Sequence, residues 1–352
     1  MSSNVRAGLL TPFGASRAVG GVEVFNECLR RALGKIEIFA DDRPEGRRRL
    51  ADLRRVGLDQ PAGAWRAAQA LLARHRQEPF DVILSNGVYG WPLTLARPRV
   101  PLIQVYHFTM AGLARRALEL RGDRLTTGRV TGLFDRIAGI GKHIVVVSQP
   151  VRREIESYYG FTGQLIPNAV DMQAFRPADP ASARDALGIP PDIPVGLFVG
   201  RPDRTKGYDI LLKVAQRLPH VLFLVVGGDS ARTGNVWSLG RIAHEEMPSV
   251  YAAADFFFLP SRYEGFSLSL LEALSCNLPV VLSESAWPFP EGSLECGVVV
   301  RSDSERDFTQ AIRLVLAAKG QFSPREFVSP RCNFEVFEES WRGFVEALLA
   351  RG

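Results

Sequence analysis

The chain has 352 residues, 46% of them hydrophobic and 23% charged, with a formal net charge of +5 and a pI near 9.2. This length suits two globular domains, and no apolar run nears the roughly 18 residues that a membrane-spanning helix needs. The positive balance, nearly all Arg, fits an anionic ligand, a nucleic acid or an acidic membrane surface without choosing among them. The four cysteines, Cys28, Cys276, Cys296 and Cys332, are scattered and read as reduced thiols rather than a disulfide framework or a metal site. The start MSSNVRAGLL lacks the basic-then-apolar layout of a secretory signal, so a cytoplasmic location is expected.

In chain order, strand patterns fall at 5–12, 35–40, 80–86, 101–107 and 142–148, alternating with helical periodicity at 22–33 and 63–77. A second series begins with PVGLFVG at 194–200 and continues through VLFLVVGG, DFFFLP, NLPVVLS and CGVVVR, with helices near 207–217, 268–275 and 305–318. Between the series lies 171–194, rich in Pro, Ala and Asp, which reads as a surface connection. A break is expected at 329–331, before a final helix over 334–350. The βα rhythm predicts an α/β chain with parallel sheets, whose ligands sit beyond the C-terminal strand ends.

The richest segment is LPSRYEGFSLSLLEALSCNLPVV at 259–281. A strand ends at Pro260, a loop carries Glu264-Gly265-Phe266-Ser267, and a helix starts near Leu268. Unpaired amides at that helix start, at the positive end of its dipole, make an anion site. Glu264 is placed to accept from sugar hydroxyls and Glu272 from a ribose. The bland alternative for Glu272 is a capping box, Ser269-Leu270-Leu271-Glu272; for Glu264 it is a solvated loop charge. In GRPDRTKG, a buried strand delivers Gly200-Arg201, and Lys206 opens the next helix. Two cations there would neutralise a departing diphosphate, or else form an ordinary solvated loop. Gly20-Gly21 follow the first strand without forming a dinucleotide fingerprint, and His107 ends a strand, where a lone His serves structure as readily as chemistry.

Glu264 and Glu272 are separated by seven intervening residues inside a frame of Pro260, Ser261, Gly265, Phe266, Leu271, Ala273, Pro279, Val280 and Val281. This resembles the carboxylate signature of glycosyltransferase family 4, a family of retaining enzymes with the GT-B fold, two Rossmann-like domains facing each other across a cleft. The resemblance implies that residues 1–170 bind the acceptor and 171–333 the nucleotide-sugar donor, with a terminal helix over 334–352 packing back on the first domain. It implies that Glu264 contacts the donor sugar and Glu272 the ribose. Gly265, Phe266, Ser267 and Leu268 would line the donor site, partly through their amides. By the same resemblance Gly200, Arg201 and Lys206 hold the diphosphate, Gly20 and Gly21 form a glycine loop, His107 lies beside the donor sugar, and Arg241 and Ile242 flank the base.

The implied reaction moves a sugar from a UDP- or GDP-sugar to a hydroxyl of a carbohydrate, lipid-linked or small-molecule acceptor, with retention and by front-face substitution. No cofactor and no metal are expected: the sequence has no Asp-x-Asp, and the two cations would take the metal's place. No nucleic-acid partner is expected. The Arg-rich stretch 110–136 reads as a solvated helix face or as a peripheral contact with the inner face of a membrane. The alternatives are a nucleotide-sugar epimerase or hydrolase of the same fold, or a non-catalytic nucleotide-sugar-binding subunit. Three places depart from the family pattern. Ala169 and Asn277 each stand where the family has Gly, and 283–293, with Trp287, Pro288 and Phe289, replaces a glycine-containing loop before Pro290-Glu291.

Overall fold

The computed structural model describes residues 5–12, 21–41, 58–117 and 126–351. Two compact units emerge: one runs to Asn168 and takes back the chain from Glu335 onward, and the other is Ala169–Phe334. In the first unit, β1 (Arg6–Leu10), β2 (Lys35–Phe39), β3 (Val82–Asn86), β4 (Leu102–Tyr106), β5 (His143–Val146) and β6 (Gln164–Leu165) form a parallel sheet. Its order is β2-β1-β3-β4-β5-β6, so the strand order reverses between β1 and β3.

In the second unit the strands are β7 (Val195–Val199), β8 (Leu222–Val226), β9 (Ser230–Thr233), β10 (Val236–Gly240), β11 (Phe256–Leu259), β12 (Val280–Ser283) and β13 (Gly297–Val300). Their order is β13-β12-β11-β7-β8-β10-β9, parallel except for the β9–β10 pair. The order reverses between β7 and β11, which makes the loops after those two strands the natural ligand crevice of this sheet. The central strands are continuous apolar runs because helices cover both faces: every residue of β8 and β11 is buried.

Among the described residues, five helices begin where the sequence supplies a side-chain cap. Ser267, Ser304, Asp179, Thr109 and Ser148 each accept from a backbone N–H in the first turn of the helix that follows. The terminal helix Phe334–Leu349 packs its fully buried Trp341 against Phe25 of the helix Gly21–Leu33, with ring centroids 6.0 Å apart. Arg342 Nε donates to the Ala32 carbonyl at 2.8 Å, which fixes the return of the chain to the first unit.

Two expectations need correction, and one hairpin goes beyond them. The connection after 171 holds a helix, Pro180–Leu187, because Asp179 caps its start and left-handed Gly188 ends it. The expected break at 329–331 lies inside the helix Pro324–Cys332; Pro330 falls in its last turn, and buried Phe327, Val328 and Cys332 hold the segment in place. The hairpin β9–β10 has no apolar alternation to announce it, since all four residues of β9 are exposed. Asn277 does adopt the left-handed conformation, φ 58°, whereas Ala169 has no positive φ.

Candidate functional site

In the second unit, the loop after β7 carries Gly200 to Gly207 and the loop after β11 carries Pro260 to Ser267. The two loops are joined in three ways. Lys206 Nζ donates to Glu264 Oε1 at 2.7 Å. Arg262 N donates to the Thr205 carbonyl at 2.8 Å, and its guanidinium reaches the Arg204 carbonyl at 2.7 Å and both carboxylate oxygens of Asp209 at 2.7 and 2.9 Å. Gly207 sits at φ 74°, and a Cβ there would lie 2.0 Å from the Pro260 carbonyl oxygen, so only glycine lets the loops approach this closely.

Glu264 is far from a solvated loop charge. Its side chain is 8% exposed, and Oε1 accepts from both Lys206 Nζ and Ser261 Oγ, the latter also at 2.7 Å. The Ser261 carbonyl is itself held by the hydroxyls of Ser283 and Ser285 at the end of β12. Arg201, by contrast, extends into solvent at 77% exposure beside Asp203, 3.4 Å away, poised as an unburied cation. The helix Leu268–Ser275 starts directly after the loop; Ser267 caps it, and Ser269 Oγ links Ser267 Oγ to the Val199 carbonyl at the end of β7.

The capping-box reading of Glu272 does not hold. The cap is Ser267, two residues earlier, and Glu272 faces elsewhere: Oε1 meets His244 Nε2 at 3.0 Å and Oε2 accepts from the buried Tyr251 hydroxyl at 2.7 Å. His244 follows the segment Gly240-Arg241-Ile242 by two residues, and Gly240 is tied to the loop after β8 through Gly227 N. Arg241 is exposed and Ile242 half-buried. Lys206, Glu264, Gly265, Phe266, Ser267 and Leu268 are thus gathered at the strand-order reversal, and Glu272 lies one turn deeper into the helix.

Two family profiles match the chain: "Glycosyltransferase Family 4" over residues 19–174 and "Glycosyl transferases group 1" over 193–318. The chain belongs to glycosyltransferase family 4. D-inositol 3-phosphate glycosyltransferases of Mycobacterium tuberculosis and Mycobacterium bovis are 29% identical over 317 residues, across 81% of this chain and 64% of their own length. The chain therefore spans a little under two thirds of those curated relatives. Among solved structures, sucrose-phosphate synthase of Thermosynechococcus elongatus superposes with a TM-score of 0.80 at 22% identity, covering 99% of this chain and 100% of that one. Alr3699/HepE of Anabaena, in complex with UDP and glucose, gives 0.72 at 18% identity over 98% and 100%. The fold is GT-B, built from two Rossmann-like units.

In this family 4 chain the departing loop at 283–293 turns its bulk inward. Phe289 meets Phe266 edge-on at 5.4 Å, Trp287 at 5.2 Å and Phe327 at 5.1 Å, and Trp287 Nε1 donates to the Glu291 carbonyl. The aromatic cluster backs Phe266 of the carboxylate loop, and a Cβ on Gly292 would strike the Phe327 ring.

The remaining candidates belong to the first unit. His107 stands one residue past β4, its Nε2 3.3 Å from Asn86 Oδ1 and its ring edge-on to Phe25 at 4.5 Å. Burial lowers its pKa to about 4, so the ring is neutral at neutral pH and Nε2–H is the donor to the Asn86 carbonyl oxygen. Asn86 passes the chain on to Asn26 Oδ1 and Thr11 Oγ1. The sequence reading missed these three partners, as it missed Arg262, Tyr251 and His244, since none is a defining position of a quoted motif. Gly21 opens the helix Gly21–Leu33 and is exposed; Gly20 lies outside the described residues. Within the Arg-rich stretch Arg115, Arg116, Arg129 and Arg136 are exposed, while Arg121 and Arg124 lie outside the described residues.

Among the described residues no helix is long and apolar enough to cross a membrane, and no three His, Cys, Asp or Glu side chains form a metal-holding group.

Proposed function

We propose that the chain is a retaining glycosyltransferase that moves a sugar from a nucleotide-sugar, first of all a UDP-sugar, to a hydroxyl of a carbohydrate, lipid-linked or small-molecule acceptor. The observation that carries this reading is the Lys206–Glu264 pair at the start of the helix Leu268–Ser275, where the strand order reverses. Lys206, Arg201 and the helix amides supply fixed positive charge for a leaving diphosphate by preorganised electrostatics. Glu264 keeps its carboxylate at the same place to accept from the hydroxyls of the transferred sugar. The relative solved with UDP and glucose supports a uridine donor.

Double displacement needs a free carboxylate nucleophile. Glu264 is a poor one, because an ammonium and a hydroxyl both hold its Oε1. Front-face substitution fits better. The glycosidic bond to the diphosphate breaks, the acceptor oxygen bonds to the anomeric carbon on the same face, and the acceptor proton passes to the departing phosphate oxygen. The reaction is assigned no metal, since the cations of the loop after β7 supply the charge and the sequence has no Asp-x-Asp. The assigned location is the cytoplasm, with exposed Arg115, Arg116, Arg129 and Arg136 available to an inner membrane face.

A screen of nucleoside diphosphates by thermal shift identifies the donor base, because a ligand stabilises the folded state by RT ln(1 + [L]/Kd). With that donor, Glu264→Ala and Lys206→Ala are each expected to lose about 10²–10³-fold in kcat, measured at a temperature where circular dichroism shows both variants folded. NMR of the product is expected to show the donor's anomeric configuration, and activity should survive EDTA. Wild-type turnover in either variant would sink the site assignment.

A further inference from the structure

We propose that His244 is a donor-positioning residue, clamping Glu272 for the nucleotide ribose and setting the charge that the nucleoside diphosphate meets; this rests on the donor-binding reading above. Glu272 is gripped from two sides of different character. On the core side the Tyr251 hydroxyl, fully buried, bonds Oε2 at 2.7 Å and also lies 3.0 Å from the Ser269 carbonyl. On the other side His244 Nε2 bonds Oε1 at 3.0 Å from a ring that is 39% exposed. That ring is backed by Phe175, 5.1 Å between centroids, which restricts its rotation. The phenol is a fixed anchor, whereas the imidazole is ionisable and reaches solvent.

The position of His244 in the chain makes this matter for the donor. It comes two residues after Ile242, so it lies between the segment assigned to the base and the carboxylate assigned to the ribose. A carboxylate oxygen has two lone pairs, so Oε1 can keep its bond to His244 and still accept from a ribose hydroxyl. With the ring absent, Oε1 is free to rotate toward water and the diol loses a fixed partner.

The charged surroundings decide the sign of the effect. Facing His244 are Glu272 from the helix Leu268–Ser275, Glu245 from its own turn, and Asp171 from the segment that opens the unit. Tyr251 from the helix Met247–Ala252 and the Cys276 thiol, pushed up to about 12 by burial, stay neutral; Arg325 lies beyond Cys276. Three carboxylates would repel a diphosphate, and the imidazolium offsets one of them. The hydrogen bond to Glu272 raises the His244 pKa above its ordinary 6.5 against the opposing effect of desolvation. The cation is therefore present below that raised value and lost as pH rises through it.

The test is calorimetric binding of UDP to the wild-type chain, His244→Ala and His244→Gln at pH 6 and pH 8. His244→Ala is expected to weaken binding about tenfold at pH 6, the size of one lost charge-assisted hydrogen bond. His244→Gln keeps a donor to Oε1 without the charge; its deficit against wild type should be several-fold at pH 6 and smaller at pH 8. Titration of the UDP phosphate is common to all three proteins and cancels in the comparison. In turnover the loss should appear as a higher donor KM with kcat within about twofold of wild type. Equal Kd values for wild type and both variants at both pH values overturn the role of His244 while leaving the donor site standing. A wild-type chain that binds neither UDP nor GDP overturns the donor reading itself, and this inference with it.

Discussion

The two units hold their candidate residues by opposite electrostatic means. In the second, Lys206 meets Glu264, His244 meets Glu272, and Arg262 meets Asp209, each through charge-assisted bonds shorter than about 3 Å or close to it. In the first, His107 is a neutral ring at the end of a run of amides and a hydroxyl, Asn86, Asn26 and Thr11. A site built of ion pairs is primed to receive charge, and its geometry depends on ionic partners remaining in place. A site built of neutral dipoles orients a ligand without adding a field, and it is indifferent to pH across the neutral range. The contrast fits a division between holding an anionic donor and presenting a sugar or acceptor hydroxyl.

The contrast can be broken most forcefully at Arg262, which is 10% exposed and ties both loops of the charged site together. Arg262→Ala is expected to cost about 2–4 kcal/mol of stability, because Asp209 is left without its main partner, with a matching fall in the urea midpoint. The same variant should lose donor affinity, since Lys206 and Glu264 are no longer held together. Stability within about 0.5 kcal/mol of wild type would mean the loops are fixed by packing alone.

A smaller effect sharpens the neutral half. His107→Ala is expected to lower kcat about tenfold, and the wild-type rate profile should carry no limb from His107 between pH 5 and 8, because its pKa lies near 4. A limb in that range that vanishes in His107→Ala would place a charged imidazole in the first unit and end the contrast. Subtler still is Asp135. Its Oδ2 accepts from the Tyr159 hydroxyl at 2.6 Å and Met110 N at 3.0 Å, yet burial raises its pKa to about 7. Because the folded value exceeds the unfolded one, the group favours folding most below about pH 4, and that contribution is lost as pH rises to about 7. Stability against pH should therefore slope downward across this window in the wild type, and less so in Asp135→Asn.

The fold was legible where physics leaves few choices. Buried parallel strands must be nearly continuous apolar runs, and the start of the helix Leu268–Ser275 is marked by the polar loop residues that precede its apolar run. Exposed β9 escaped detection because an edge strand with no buried face has no periodicity to display. In the site, the residue types at 200–207 and 264–272 announced an anion site, but their partners did not. Lys206 and Glu264 lie 58 residues apart, and His244 and Glu272 lie 28 apart. Only the adjacency of β7 and β11 brings the first pair into reach. The capping box at Ser269 failed for a related reason: once the cap fell on Ser267, Glu272 was released to bond Tyr251 and His244.

The return of the helix Phe334–Leu349 to the first unit has a consequence for synthesis on the ribosome. The second unit is one uninterrupted segment, so it can finish folding as soon as its own chain has emerged. The first unit cannot, because Phe25 awaits the ring of Trp341, made more than 300 residues later in the chain's numbering, as the Arg342-to-Ala32 bond across 310 positions shows. The unit translated first is completed last.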